Sequence, residues 1–209
     1  MPIRAVVFDI GGVLERVDDY ESVLSAAWRE RLGMSPAEFM AALAAIDPDG
    51  VSETGQMSES EWADRSATCL GLSPAQLREF VADVWDWYCG ELDAELMAFA
   101  ASLRTRLRTA IISNSADGAR REELARYAFD EIFDPIIYSH EVGVAKPDPA
   151  IFELATSLLG VAPPEMIFVD DVPGHVDAAS SLGIHAIQHR TTAETIAEIN
   201  SLLASRSDP

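Results

Sequence analysis

The segment Arg4-Ala-Val-Val-Phe-Asp9 and the glycine pair Gly11-Gly12 that follows it decide the fold. An unbroken apolar run, rich in valine and bounded by glycine, is typical of a strand buried on both faces of a parallel sheet. Four later segments share this character. They are residues 109–113, 135–139, 166–170 and 184–188.

Helical patterns separate most of these strands. We predict helices at residues 94–103, 118–127, 149–159, 175–182 and 193–204. Asp148 before Pro149 is a typical helix start, and Thr191 with Glu194 has the spacing of a capping box. Alternation of strands and helices predicts an α/β fold, with a Rossmann-like parallel sheet and helices on both faces.

Residues 15–90 interrupt this alternation, since they show amphipathic helices and no convincing strand. Ser35, Ser58 and Ser73 each begin a capping-box pattern, and a further helix is predicted at 20–32. We therefore predict a core domain of residues 1–14 and 91–209, with a helical cap of residues 15–90 inserted after the first strand. An insertion at the carboxyl end of a strand hangs over the edge where such sheets bind ligands, so the cap is expected to act as a lid.

The charge balance excludes some classes of partner. The 209 residues include 35 acidic and 15 basic side chains, for a net charge of −20. Such a surface repels nucleic acid and anionic membranes. The two cysteines predict reduced thiols, and the lack of a signal peptide or a long apolar run predicts a soluble, cytoplasmic protein. Lys146 is the only lysine among the 15 cations.

Polar side chains directly follow four of the apolar runs. They are Asp9, the pair Ser113-Asn114, Lys146 in the loop after the third run, and the pair Asp170-Asp171. The carboxyl ends of parallel strands share one edge, so these groups should converge. Three carboxylates in one place repel each other unless a cation joins them. A hard divalent ion with oxygen ligands, most plausibly Mg²⁺, fits this set and leaves room for a substrate phosphate.

This constellation resembles the four motifs of the haloacid dehalogenase-like superfamily of phosphohydrolases. The matching segments are residues 6–14 (VVFDIGGVL), 111–114 (IISN), 139–152 (SHEVGVAKPDPAIF) and 168–171 (FVDD). The inserted helical cap lies where that superfamily places it. Within the superfamily, the first motif and the cap segment Gly55-Gln-Met-Ser58 resemble a branch with glucose-1-phosphate phosphatases and the N-terminal domains of soluble epoxide hydrolases.

The resemblance implies a role for each matching residue. Asp9 would be the nucleophile that forms an aspartyl-phosphate and would also bind Mg²⁺, together with Asp170, Asp171 and the backbone carbonyl of Gly11. Ser113 would hydrogen-bond the phosphoryl oxygens, and Lys146 would pair with Asp9 and the phosphate. Asn114 would also contact the substrate. A small phosphorylated metabolite is the expected substrate.

Gly11 departs from the family pattern, which usually has a second aspartate there as general acid and base. Such assistance contributes about 10²–10⁴-fold to rate. A leaving group that departs easily, such as the anomeric oxygen of a sugar 1-phosphate, needs less of this proton transfer. Two alternatives remain open: a degenerate member that binds a ligand or partner without turnover, and a 2-haloacid dehalogenase, against which Asp170-Asp171 argues.

Five other side chains have both a functional and a structural interpretation. His175 either contacts the substrate or, as we expect, only lines the loop after the fourth strand. Glu15 either reaches the site or, as we expect, is a solvated carboxylate at the hinge of the lid. Trp85, Trp87 and Tyr88 are expected to form the core of the lid, with one of them lining the pocket.

Overall fold

The computed structural model describes residues 1–16 and 24–205. The strands are β1 (Ala5–Phe8), β2 (Glu15–Arg16), β3 (Glu91–Leu92), β4 (Arg108–Ser113), β5 (Ile136–Tyr138), β6 (Met166–Asp170) and β7 (His185–Gln188). The helices are α1 (Ala26–Leu32), α2 (Pro36–Ala44), α3 (Glu59–Leu70), α4 (Pro74–Cys89), α5 (Ala94–Leu103), α6 (Ala119–Arg126), α7 (Phe129–Ile132), α8 (Ser139–Val142), α9 (Pro149–Leu159), α10 (Pro173–Ser181) and α11 (Thr192–Ser205). Short 3-10 turns occupy Val51–Thr54 and Pro163–Glu165.

Five strands form a parallel sheet in the order β5-β4-β1-β6-β7. The first strand lies at the centre, where Ala5 pairs with Arg108 on one side and with Met166 on the other. The alternation of side chains sends Val6 and Phe8 into one apolar cluster and their neighbours into another. This double burial explains the unbroken apolar run in β1.

Helices cover both faces of the sheet, which confirms the predicted fold class. On the Phe8 face, α5 and α11 contribute buried residues such as Leu103 and Ile199. On the opposite face, α9 and α10 contribute residues such as Phe152 and Ala179. The predicted core helices begin and end within two residues of those observed.

Residues between β2 and β3 form a helical layer with its own apolar centre. Trp28 meets Phe80 edge to face at 5.2 Å, and Trp62 stacks on the same ring at 5.9 Å. The hydroxyls of Ser35, Ser58 and Ser73 cap α2, α3 and α4 as predicted. Of the helix predicted at residues 20–32, Ala26–Leu32 is observed as α1, and residues 20–23 lie outside the described residues.

One prediction about this layer is wrong. Residues 15–90 were expected to hold no strand, but Glu15–Arg16 forms β2 and pairs antiparallel with β3. Two residues are too few to show a strand period, so the pattern left no signal. The pair joins the entry and exit of the helical layer at one point, and the backbone N–H of Asp93 donates to the Leu14 carbonyl at 2.8 Å nearby.

The cysteines and the lengths of the helices were also considered in the sequence. Cys69 and Cys89 are free thiols, as predicted, and Cys89 is buried. Among the helices of residues 1–16 and 24–205, none has both the length and the apolar character that crossing a bilayer requires.

Candidate active site

The carboxyl edge of the sheet brings together the lysine and two of the predicted carboxylates. The Nζ atom of Lys146 lies 2.7 Å from Oδ1 of Asp9 and 2.7 Å from Oδ2 of Asp170. All three side chains are buried, and Asp9 and Lys146 line a cavity of about 600 Å³. Ser113, Asn114 and Asp171 line this cavity too, so the predicted side chains converge.

The backbone of Lys146 is held in place by one side chain. Oδ1 of Asn114 accepts from the Lys146 N–H, and Nδ2 of Asn114 donates to the Lys146 carbonyl, each at 2.8 Å. The ammonium also donates to the Ile112 carbonyl at 3.1 Å. These contacts fix the position of the ammonium between the two carboxylates. Asn114 was predicted to contact substrate, but its observed bonds support Lys146.

The two carboxyl groups differ in how readily they ionise. Burial raises the pKa of Asp9 to about 7, with the charge of Asp170 adding to it and the charge of Lys146 opposing it. Burial also opposes ionisation of Asp170, but hydrogen bonds from His175 and Lys146 lower its pKa to about 2. Further positive charge at this site would therefore favour the ionised form of Asp9.

His175 is part of this cluster, so the expectation that it only lines the loop is wrong. Its Nδ1 lies 3.0 Å and 3.1 Å from the two oxygens of Asp170. The helix α10 starts three residues after Asp170, which turns the ring back onto that carboxylate. In the described part of the chain, ligand atoms of Asp9, Asp170 and His175 lie within 4.8 Å of one another, the spacing that a metal ion needs.

The other predicted metal ligands lie around this cluster. Asp171 lines the cavity but is not one of the three clustered ligands. Its carboxyl packs on Gly12, where an added Cβ would lie 2.5 Å from Oδ2. Gly11 is exposed at the cavity wall. Carboxylate and carbonyl oxygens are the ligands that Mg²⁺ prefers, so this donor set fits that ion.

The sequence did not predict the burial of two carboxyl groups, those of Glu15 and Glu123. Glu15 is fully buried, and neither of its oxygens has a hydrogen-bond partner among the described residues. Burial, with the nearby charge of Glu123 adding to it, raises the pKa of Glu15 to about 9. The expectation of a solvated hinge carboxylate is therefore wrong. The alternative that Glu15 reaches the site is confirmed, since Glu15 lines the cavity of Asp9.

Glu123 is also buried and lines the same cavity. The Tyr138 hydroxyl donates to Oε2 of Glu123 at 2.5 Å. Burial raises the pKa of Glu123 to about 7. A third carboxyl, Glu53, reaches the cavity from the 3-10 turn, 3.5 Å from Nδ2 of Asn114. Glu53 and Glu123 therefore add two acidic groups to the lining of this cavity.

The three aromatic residues of α4 divide between two cavities. Trp87 and Tyr88 line the cavity of Asp9, whereas Trp85 lines a smaller one beside it, which Tyr88 also borders. One of these aromatic residues was expected to line the cavity of Asp9, but two of them do.

Comparisons with known proteins place this geometry in a family. Residues 3–183 match the family described as haloacid dehalogenase-like hydrolase. Bifunctional epoxide hydrolase 2 of Sus scrofa is 28% identical over 97% of this chain, which spans 39% of that protein's length. D-ribitol-5-phosphate phosphatase of Bacteroides thetaiotaomicron is 24% identical over 97% of this chain and 100% of its own length.

A solved structure has the same fold. A mutant of a HAD family enzyme of Bacteroides thetaiotaomicron, solved in complex with magnesium and inorganic phosphate, superposes with a TM-score of 0.75 at 20% identity. The match covers 90% of this chain and 94% of the other. The family match runs through all four strand ends that build the cavity, and the chain therefore belongs to the haloacid dehalogenase-like hydrolase family.

Proposed function

We propose that this chain is a Mg²⁺-dependent phosphatase of small phosphorylated metabolites that works through an aspartyl-phosphate on Asp9. The observation that carries the proposal is the buried triangle of Asp9, Lys146 and Asp170 beside an open cavity. Similarity to a D-ribitol-5-phosphate phosphatase and to an enzyme solved with magnesium and phosphate supports the same chemistry.

The residues of the chain supply the nucleophile and the charge that receives the phosphoryl group. An oxygen of Asp9 attacks phosphorus, the bond from phosphorus to the leaving oxygen breaks, and that oxygen takes a proton from water. Water then attacks the phosphorus of the aspartyl-phosphate, which releases phosphate and restores the carboxylate. Lys146 and the Ser113 hydroxyl stabilise the charge on the phosphoryl oxygens.

Four groups would hold the metal ion. Asp9, Asp170 and the Gly11 carbonyl would bind it directly, and Asp171 directly or through water. When bound, Mg²⁺ supplies positive charge that keeps the carboxylates ionised and orients the phosphate. The raised pKa of Asp9, caused mainly by its burial, agrees with a site that needs this charge.

Sugar and polyol phosphates are candidates within this substrate class. Gly11 carries no side chain to protonate the leaving group, so substrates with good leaving groups, such as sugar 1-phosphates, suit the site best. Similarity to a phosphatase of a phosphorylated sugar alcohol supports the wider class of sugar and polyol phosphates.

The division of the chain into a core and a cap is part of the proposal. The core domain comprises residues 1–14 and 91–209, and the cap comprises residues 15–90. The separate apolar centre around Phe80 supports it, as does the single antiparallel pair that joins the two segments. The cap then acts as a lid over the cavity of Asp9.

Hydrolysis of p-nitrophenyl phosphate, with and without Mg²⁺, tests the proposal on wild type, Asp9→Asn and the exposed control Asp49→Asn. We expect Mg²⁺-dependent turnover in wild type and in the control, and none in Asp9→Asn. Absence of turnover for every phosphate ester in wild type, with Mg²⁺ still bound in calorimetry, indicates a ligand-binding member without activity. Metal-independent halide release from 2-haloacids indicates a dehalogenase.

A further inference from the structure

A second cavity lies beside the cavity of Asp9, between α3 and α4 of the helical layer and the loop after β4. We call it the side pocket. Its volume is about 140 Å³, and its apolar lining comes from Met57, Trp62, Val84, Trp85, Tyr88 and Ala116. The proposed phosphoryl transfer does not use it.

Three polar residues at the rim of the side pocket, Glu59, Trp85 and Asp117, already have partners. Nε1 of Trp85 donates to Oε1 of Glu59 at 2.8 Å, and Arg121 donates to both oxygens of Glu59 at 2.8 and 3.0 Å. The Glu59 N–H donates to Asp117 at 2.9 Å. A hydroxylated group inside the pocket would therefore give up its water hydrogen bonds for few replacements, whereas an apolar group gives up none.

The walls of the side pocket are held firmly. Trp85 packs edge to face on Tyr88 with ring centroids 5.3 Å apart. It also lies so close to Gly118 that an added Cβ there would be 2.8 Å from the indole. A preformed apolar cavity of this kind binds apolar groups without first having to open.

The side pocket and the cavity of Asp9 are neighbours along three segments. Tyr88 lines both cavities. Ser52 of the side pocket is followed by Glu53 of the catalytic cavity, and Ala116 comes two residues after Asn114. A single ligand with its phosphate at Lys146 can therefore extend its other end toward the side pocket.

We propose that the side pocket binds a compact apolar group of about six carbons on the substrate's leaving alcohol, and so selects phosphate monoesters that carry one. The inference rests on the proposed function for the position of the phosphate. The size follows from the volume, since a cavity of about 150 Å³ lined by aliphatic and aromatic side chains binds benzene. Within the sugar and polyol phosphates proposed above, those that also carry an alkyl or aryl group are favoured over those without one.

A series of alkyl phosphates from methyl to hexyl tests this directly, with glycerol 3-phosphate as the polyol of comparable length to propyl phosphate. We expect kcat/KM to rise by up to about fourfold for each added methylene, the factor for complete burial, until the pocket is full. Glycerol 3-phosphate should stay well below propyl phosphate. Equal kcat/KM along the series, or a preference for glycerol 3-phosphate, would overturn the proposal.

Two variants fill the side pocket from opposite walls, Ala116→Leu and Val84→Phe. Each should flatten the series, because longer chains lose their pocket, while methyl phosphate is hydrolysed as in wild type. Ala82→Leu, on the exposed side of α4, adds the same side chain elsewhere and should keep the wild-type series. Persistence of the chain-length preference in both folded filling variants would contradict the assignment.

Binding of methylphosphonate and hexylphosphonate to wild type, by calorimetry in the presence of Mg²⁺, separates this inference from the proposed function. Tighter binding of hexylphosphonate without turnover of any ester refutes phosphatase activity and leaves the side pocket supported. Turnover with equal binding of the two phosphonates refutes the side pocket alone. The phosphonate comparison needs no variant, so it stands even if a filling substitution prevents folding.

Discussion

Replacement of Glu15 by glutamine should remove a strong pH dependence of stability. In the folded chain this carboxyl is buried without a hydrogen-bond partner among the described residues, and its pKa is raised to about 9 from 4.5. The folded state therefore holds the proton more tightly than the unfolded state does. The stabilisation is fully present below pH 4.5 and is lost as the pH rises toward 9.

The size of the effect follows from the two pKa values. Each pH unit between them lowers the free energy of unfolding by about 1.4 kcal/mol. The loss reaches about 3 kcal/mol at pH 7 and about 6 kcal/mol above pH 9. Glutamine has nearly the same shape but no titrating proton, so Glu15→Gln lacks this loss.

Urea unfolding at half-unit steps from pH 5 to pH 8 measures the effect. The difference in unfolding free energy between Glu15→Gln and wild type should grow by about 1.4 kcal/mol per pH unit in favour of the variant. Glu153→Gln, at an exposed site on α9, should follow wild type. Parallel curves for Glu15→Gln and wild type would refute the argument that Glu15 is buried and protonated. Asp9 and Glu123 titrate in all three proteins, so their contributions largely cancel in the comparison.

Two further predictions concern the catalytic cavity. Lys146→Arg should lower kcat/KM on p-nitrophenyl phosphate by at least about 100-fold, because a planar guanidinium cannot take the place of an ammonium 2.7 Å from two carboxylates. Unchanged turnover would mean that the single lysine in an arginine-rich chain is a coincidence. Gly12→Ala should displace the Asp171 carboxyl, with a lower affinity for Mg²⁺ in calorimetry and a stability loss above the roughly 1–2 kcal/mol of a left-handed residue. Gly33→Ala has a similar backbone conformation but no atom within 4 Å of the added Cβ, so it should show the stability loss alone.

The sheet was predictable because its strands are buried on both faces. The run of β1 shows no alternation of apolar and polar residues, which distinguishes it from a half-exposed strand. The strand β6 is observed at Met166–Asp170, as predicted. The strand order was not predictable in the same way, since it depends on which runs pair, and apolar runs resemble each other. The convergence of Asp9, Lys146 and Asp170 followed from the rule that parallel strands end at one edge.

The burial of Glu123 and Glu15 and the contact of His175 with Asp170 could not be predicted, for physical reasons. Glu123 lies in the polar sequence Arg120-Arg-Glu-Glu-Leu-Ala-Arg126, where nothing distinguishes the buried glutamate from its exposed neighbours. Glu15 follows a glycine turn and precedes an arginine, as surface residues often do, and its burial depends on a two-residue strand pair. His175 reaches Asp170 only because of the tight turn between β6 and α10.

The central place of β1 has a consequence for biosynthesis. This strand is made first, but its partners β4 and β6 begin at Arg108 and Met166. At about 5–20 residues per second, the ribosome needs roughly 8 to 30 seconds to supply the second partner. Through that interval the nascent chain carries an apolar strand with an unpaired edge, which is a site for association with other chains. Productive folding is therefore expected to need protection of β1 until β6 has emerged from the ribosome.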